Sequence, residues 1–190
     1  MSILRFLFPA VVVSSACGAD APTAPAPDIH DHGPNLYLAD VNMDLAAIRE
    51  ATAQFHNVEK AEAAGYAKAA GAPDCIGTGD PDVGDMGFHW DHVEDPAPPN
   101  LDVDVDIAHP EALVYMPGPN GSLRLVAVEY LIPCTVVGGT CDGPPPTLMG
   151  QEFTSFAPAF PLWGLHAWVW KENPTGMFAN FNPKLTCPTG

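Results

Sequence analysis

Glu129 is the residue whose surroundings most call for chemistry. It lies in Leu123–Ile132, a run that is apolar on both faces if it forms a strand. Leu123, Leu125, Ala127, Glu129 and Leu131 would share one side, and Val126, Val128, Tyr130 and Ile132 the other. An ionised carboxylate in such an interior is costly unless it is protonated, paired with a cation or bound to a metal. Arg124 falls on the opposite face of a regular strand. The chain carries only 7 Lys and Arg against 23 Asp and Glu. With cations so scarce, a metal ion is an attractive counter-charge.

Three histidines sit in comparable settings. His166 lies in Leu165-His166-Ala167-Trp168-Val169-Trp170, on the face that alternation shares with Trp168 and Trp170; His89 lies between Phe88 and Trp90; His56 follows Phe55 at the end of an expected helix. Two or three imidazoles and one carboxylate from separate elements form the donor set of mononuclear Zn, Cu, Fe or Mn sites. The expectation is a centre built from His89, Glu129 and His166, with His56 as the candidate fourth donor. Trp90, Trp168, Trp170 and Tyr130 would wall an apolar pocket for a small-molecule ligand beside it. One open coordination position would make the centre catalytic, as in a small metalloenzyme; a closed one would be structural. The sequence leaves that choice open.

Plainer readings exist for the same residues. A histidine between aromatics often bonds a backbone carbonyl, and His56 near a helix C-terminus serves the helix dipole. The tryptophans could be a metal-free stacking platform for an apolar or sugar-like ligand, or simply the core of a structural envelope protein. His92 and His109 are weaker candidates. Asp80, Asp82, Asp85 and Asp91 suggest a calcium loop, but Asp85 stands where the sixth-position glycine should be, so they read as turn and solvent-facing acids. There is no GxSxG, HExxH, CxxC, phosphate-binding glycine loop or dinucleotide fingerprint.

The elements that must position these groups read as α+β, with an N-terminal helical hairpin packed on a small antiparallel sheet and long, disulfide-stapled loops. Asp40 to Gly71 is the helical region. Asp44 is placed to cap a helix with apolar positions Leu45, Ile48, Thr52 and Phe55, and Asn57 to cap a second from Val58 to Ala64. Gly71 to Pro110 reads as acidic loop, with Leu101–Ile107 as an edge strand or extended arm. Ala112–Met116 and Leu123–Ile132 form the clearest hairpin, and Leu162–Trp170 the last strand. The 22 prolines and 17 glycines require much loop. Cys75, Cys134, Cys141 and Cys187 allow three pairings. Cys134 and Cys141 look like a local clip, which leaves Cys75 with Cys187.

The N-terminus sets the compartment. Arg5, the apolar run Phe6–Val13 and Ser14-Ser15-Ala16-Cys17 read as a secretory signal over 1–16. The small residues before Cys17 resemble the lipobox of bacterial lipoproteins, which implies acylation of Cys17, although Ser14 stands where that family has an apolar residue. Residues 17–40, rich in Pro and Ala, read as a tether, and 41–190 as one domain. The expected location is the cell envelope, through the lipid, or the exterior. A net charge of −16 argues against nucleic acid and against anionic lipid surfaces, leaving a lipid anchor as the one membrane contact. The oligomeric state is not encoded in any pattern seen here. Gly87-Phe88-His89-Trp90, Val128-Glu129-Tyr130 and His166–Trp170 followed by Asn173-Pro174 and Asn182-Pro183 resemble stretches of exported bacterial proteins of uncharacterised activity, over about Ala51 to Pro188. That resemblance implies a single exported domain and carries no activity, fold or ligand.

Overall fold

The computed structural model describes residues 34–68, 75–92 and 105–188. The expected signal peptide, Cys17 and most of the tether lie outside the described residues, as do residues 101–104 of the expected acidic arm. Val105 to Ile107, the rest of that arm, is not a strand.

Helix α1 (Pro34–Thr52) begins ten residues before Asp44, so Asp44 lies inside it rather than capping it, and the last part of the expected tether is helical. Proline is tolerated in the first turn of a helix. The apolar stripe also extends back from Leu45 and Ile48 to Val41, which packs on the core. A 3-10 turn, Ala53–His56, leads to α2 (Val58–Ala63), where Asn57 accepts from Lys60 N as expected of a cap. α2 is only six residues long, so the described residues hold one long helix and a short turn of helix rather than a hairpin of two comparable ones.

The short strands β1 (Tyr66–Lys68) and β2 (Ile76–Gly77) precede β3 (Asp85–His92), β4 (Ala112–Pro117) and β5 (Leu123–Pro133). Two-residue strands follow: β6 (Val136–Val137), β7 (Thr140–Cys141), β8 (Thr147–Leu148), β9 (Gln151–Glu152) and β10 (Thr154–Ser155). The last strand is β11 (Leu162–Ala167). The principal sheet is antiparallel, in the order β1-β3-β4-β5-β11-β10, with β2 also paired to β3. The expected β4–β5 hairpin forms across a Pro119–Gly121 turn. The α+β class and the antiparallel sheet thus match the sequence reading.

Two strands differ from it. β3 occupies a stretch read as loop, because its glycines and acids mask an eight-residue strand. Gly87 adopts φ +118, and a Cβ there would lie 2.7 Å from the Tyr115 carbonyl oxygen, so only glycine lets β3 run this close to β4. β11 stops at Ala167 instead of Trp170, because Trp168 N bonds Met177 O and Val169 N bonds Ala167 O, interrupting the ladder before Trp170 N returns to Val126 O of β5.

The sheet is buried on both faces. On one, Leu45, Ile48, Phe55 and Ala61 from the helical region meet Tyr66, Leu113, Tyr115, Val128, Tyr130 and Leu165. On the other, Val114, Met116, Val126, Ala127 and Trp168 lie under the C-terminal segment through Leu185. That segment is fastened twice. Cys75 is bonded to Cys187, and the buried Asp85 carboxylate accepts from Thr78 N and Cys187 N. Asp85 is therefore an interior brace and not a solvent-facing acid. Cys134–Cys141 is the second disulfide, so the pairing is the one expected.

Candidate metal centre

Register explains how the acid and the two imidazoles meet. Glu129 on β5 is directly opposite His166 on β11 and, on its other side, opposite Ala112 of β4, which in turn pairs with Asp91 of β3. Side chains in such a row rise from the same face of the sheet. His89 stands two residues from Asp91 on that face. Its strand is about 10 Å from β5, twice the strand spacing, so only long side chains can join across the gap. Ala112, fully buried and small, leaves the space over β4 in which they do so.

The geometry is tight. His89 Nε2 is 3.2 Å from Glu129 Oε2, His166 Nδ1 is 3.2 Å from Glu129 Oε1, and the two Nε2 atoms are 3.4 Å apart. The side chains of His89, Glu129 and His166 are 9%, 4% and 0% exposed. Each offers a ligand atom, and these lie within 4.8 Å of one another. Two donors bound tetrahedrally at 2.0–2.1 Å stand roughly 3.3 Å apart, so the Nε2–Nε2 and Nε2–Oε2 spacings suit two edges of such a coordination shell. His89 Nδ1, Glu129 Oε1 and His166 Nδ1 are buried without a hydrogen-bond partner; the last two are close but out of line for a bond. Buried polar atoms in this condition are uncommon in a folded protein and call for an explanation. A buried His-Glu-His group of this shape could hold a metal ion.

Charge in the group is shared unevenly. Burial pushes the Glu129 carboxyl up, but His166 and then His89 outweigh it and hold it below the usual carboxylate range. Burial pulls His89 down, and its bond and charge interaction with Glu129 reverse this to leave it raised. Burial takes His166 down to about 4. The shifts thus favour charge on His89 and Glu129 and disfavour it on His166. The positive compensation that Glu129 needs comes, among the described residues, from histidine.

Other expected site residues are not brought to the group. His56 is exposed on the helical layer, edge-on to Trp170 at 4.4 Å between ring centroids. Trp90 packs edge-on against Tyr115, Tyr130 donates to Ile107 O, and Trp170 donates to Thr52, all on the helix-covered face. Trp90 and Tyr130 are each next in sequence to a donor, and strand alternation sends neighbours to opposite faces. Trp170 lies beyond the end of β11, where alternation no longer applies. Of the expected wall only Trp168 remains, stacked on His166 at 5.9 Å and 16°. Phe156, which the sequence did not single out, also meets His166, and its ring fills the space that a Cβ at Gly164 would need.

A β-bulge corrects the face assignment along β5. Val114 pairs with Ala127 but Tyr115 pairs with Leu125, so Val126 is the extra residue. Leu125 then points to the helix-covered side while Glu129 points away from it. Arg124, paired with Met116, is on the same face as Glu129 but exposed at the far end of the strand.

Asp91 belongs to this face too, though it read as a turn acid. It is half-buried and close enough for His89 and Glu129 each to act on it electrostatically. Its position two residues after His89 would have shown this, had β3 been recognised as a strand. No protein-family model matches the chain, and no curated protein or solved structure gives a significant match.

Proposed function

We propose that this is an exported, lipid-anchored domain that holds one transition metal ion through His89, Glu129 and His166. The observation that carries the reading is the closeness of three buried donors, one ligand atom from each lying within 4.8 Å of the others, with polar atoms left unpartnered beside them. Two imidazoles and one carboxylate suit zinc or non-haem iron best, with manganese and copper as the alternatives. Such an ion would supply Lewis-acid or redox chemistry. The chain's own part is to aim two ring nitrogens and a carboxylate into one point and to exclude water with Trp168 and Phe156. Two disulfides are consistent with an extracytoplasmic setting. No helix among the described residues is long and apolar enough to cross a membrane.

Metal analysis of untagged protein tests the reading. Close to one equivalent of a transition metal after loading is expected, and less than about a tenth of an equivalent of every such metal counts against it. The rival is a structural role, favoured by the complementary charges of His89 and Glu129, which offset one another without an ion. A tryptophan platform for an apolar ligand is less well supported, since Trp90 and Trp170 lie across the sheet from the group.

A further inference from the structure

The buried group is not equally closed on all sides. Exposure rises from His166 through Glu129 to His89, and Asp91, at the β3 end of the row, is only half-buried. Strand pairing sets Asp91 between two alanines, Ala67 of β1 and Ala112 of β4. Neither neighbour carries a side chain long enough to cover the carboxylate from within the sheet. Asp91 is not one of the three donors that lie within 4.8 Å of one another, yet it is close enough to interact electrostatically with two of them.

Resting on the metal-centre reading above, we infer that the open coordination position faces Asp91 and takes a small, neutral, proton-bearing ligand, water or a hydroxyl group, hydrogen-bonded to that carboxylate. His166 and Glu129 are enclosed by Trp168, Phe156 and the apolar cluster, so no ligand of useful size reaches the ion from their side. Approach along β3 passes the Asp91 carboxylate. A carboxylate there accepts a hydrogen bond from a hydroxyl or water and repels an anion. The centre would accordingly be open and selective for neutral oxygen ligands, and Asp91 would be a positioning residue.

The test uses the oxidised full chain loaded with Co2+ and titrated with azide at fixed pH and salt, followed by the visible absorption of the ion. Asp91→Asn should bind azide roughly tenfold more tightly than the parent, the effect of removing one like charge close to the ion. Equal affinity in the two proteins would overturn the inference, as would the absence of any spectral response in both, which would mean a closed centre. Loss of Co2+ from Asp91→Asn would make Asp91 a ligand and also overturn it. Failure of the parent chain to take up Co2+ is a different result, since it removes the centre itself. A measurement without a variant is water-proton relaxation by the Cu2+-loaded parent, where exchangeable water on the ion is expected and its absence would again refute an open position.

Discussion

The two faces of the sheet differ in one cluster of buried polar groups. On the helix-covered face the Tyr66, Tyr115 and Tyr130 hydroxyls donate to the carbonyls of Pro110, Phe55 and Ile107 at 2.7, 2.7 and 2.8 Å. Thr52 donates to Ile48 O and accepts from Trp170, so that even the contact between helix and indole is satisfied. On the other face, His89, Glu129 and His166 leave three buried polar atoms without partners. Satisfied polar groups brace a core, and buried ones without partners call for an explanation, which the proposed ion would supply.

Breaking the second face should have the largest effect. Glu129→Leu is expected to lower metal affinity by more than about a hundredfold, since it removes a ligand rather than an outer partner; chelator competition measures it. Tyr130→Phe, one residue away but on the helix face, should leave affinity within about twofold of the parent. Equal losses in the two would erase the contrast between faces. The metal-free Glu129→Leu protein should lose stability, because removing one partner of a buried charge pair leaves His89 without its counter-charge, so affinities are compared on protein shown to be folded.

The fastening of the C-terminal segment comes next. Opening Cys75–Cys187, which spans 112 residues, should cost about 4 kcal/mol in urea unfolding, and opening Cys134–Cys141, which spans 7, distinctly less. Tyr115→Phe should cost about 1–2 kcal/mol by leaving the buried Phe55 carbonyl without its donor, with no change in metal content.

The smallest effect is a slope. His166 has a folded pKa of about 4, below the unfolded histidine value of about 6.5, so the unfolded chain takes up a proton that the folded one refuses. Metal-free stability should therefore fall as pH drops from about 6.5 to about 4. His89, raised by its pairing with Glu129, contributes in the other direction, and its share is lost as pH rises through its folded pKa. His166→Phe should flatten the acid-side decline in a pH series of unfolding midpoints; an unchanged slope would mean that His166 is not held neutral.

Much of this was legible in the chain before folding. The apolar neighbours of Glu129 on both sides marked it as interior, and the same test picked out His89 and His166. Even cysteine number and spacing favoured the pairing that forms, and the β4–β5 hairpin followed from its turn residues. These are short-range properties, written in adjacent residues. Trp90 and Tyr130 were misplaced because an apolar neighbour in sequence was treated as a neighbour in space, which a strand's alternation forbids, and Trp170 because alternation was carried past Ala167, where β11 ends.

Tertiary structure decided everything that depends on which strands lie side by side. Nothing local says that β3 pairs with β4, or that β11 lies against β5, yet those pairings put Asp91, Glu129 and His166 in one row and bring His89 beside it. The bulge at Val126 reverses the inside–outside order midway along β5, and it is visible only in the register with β4. Composition and periodicity specify what each segment prefers to bury; only the packed sheet determines what each buried group will face, because that depends on residues dozens of positions away.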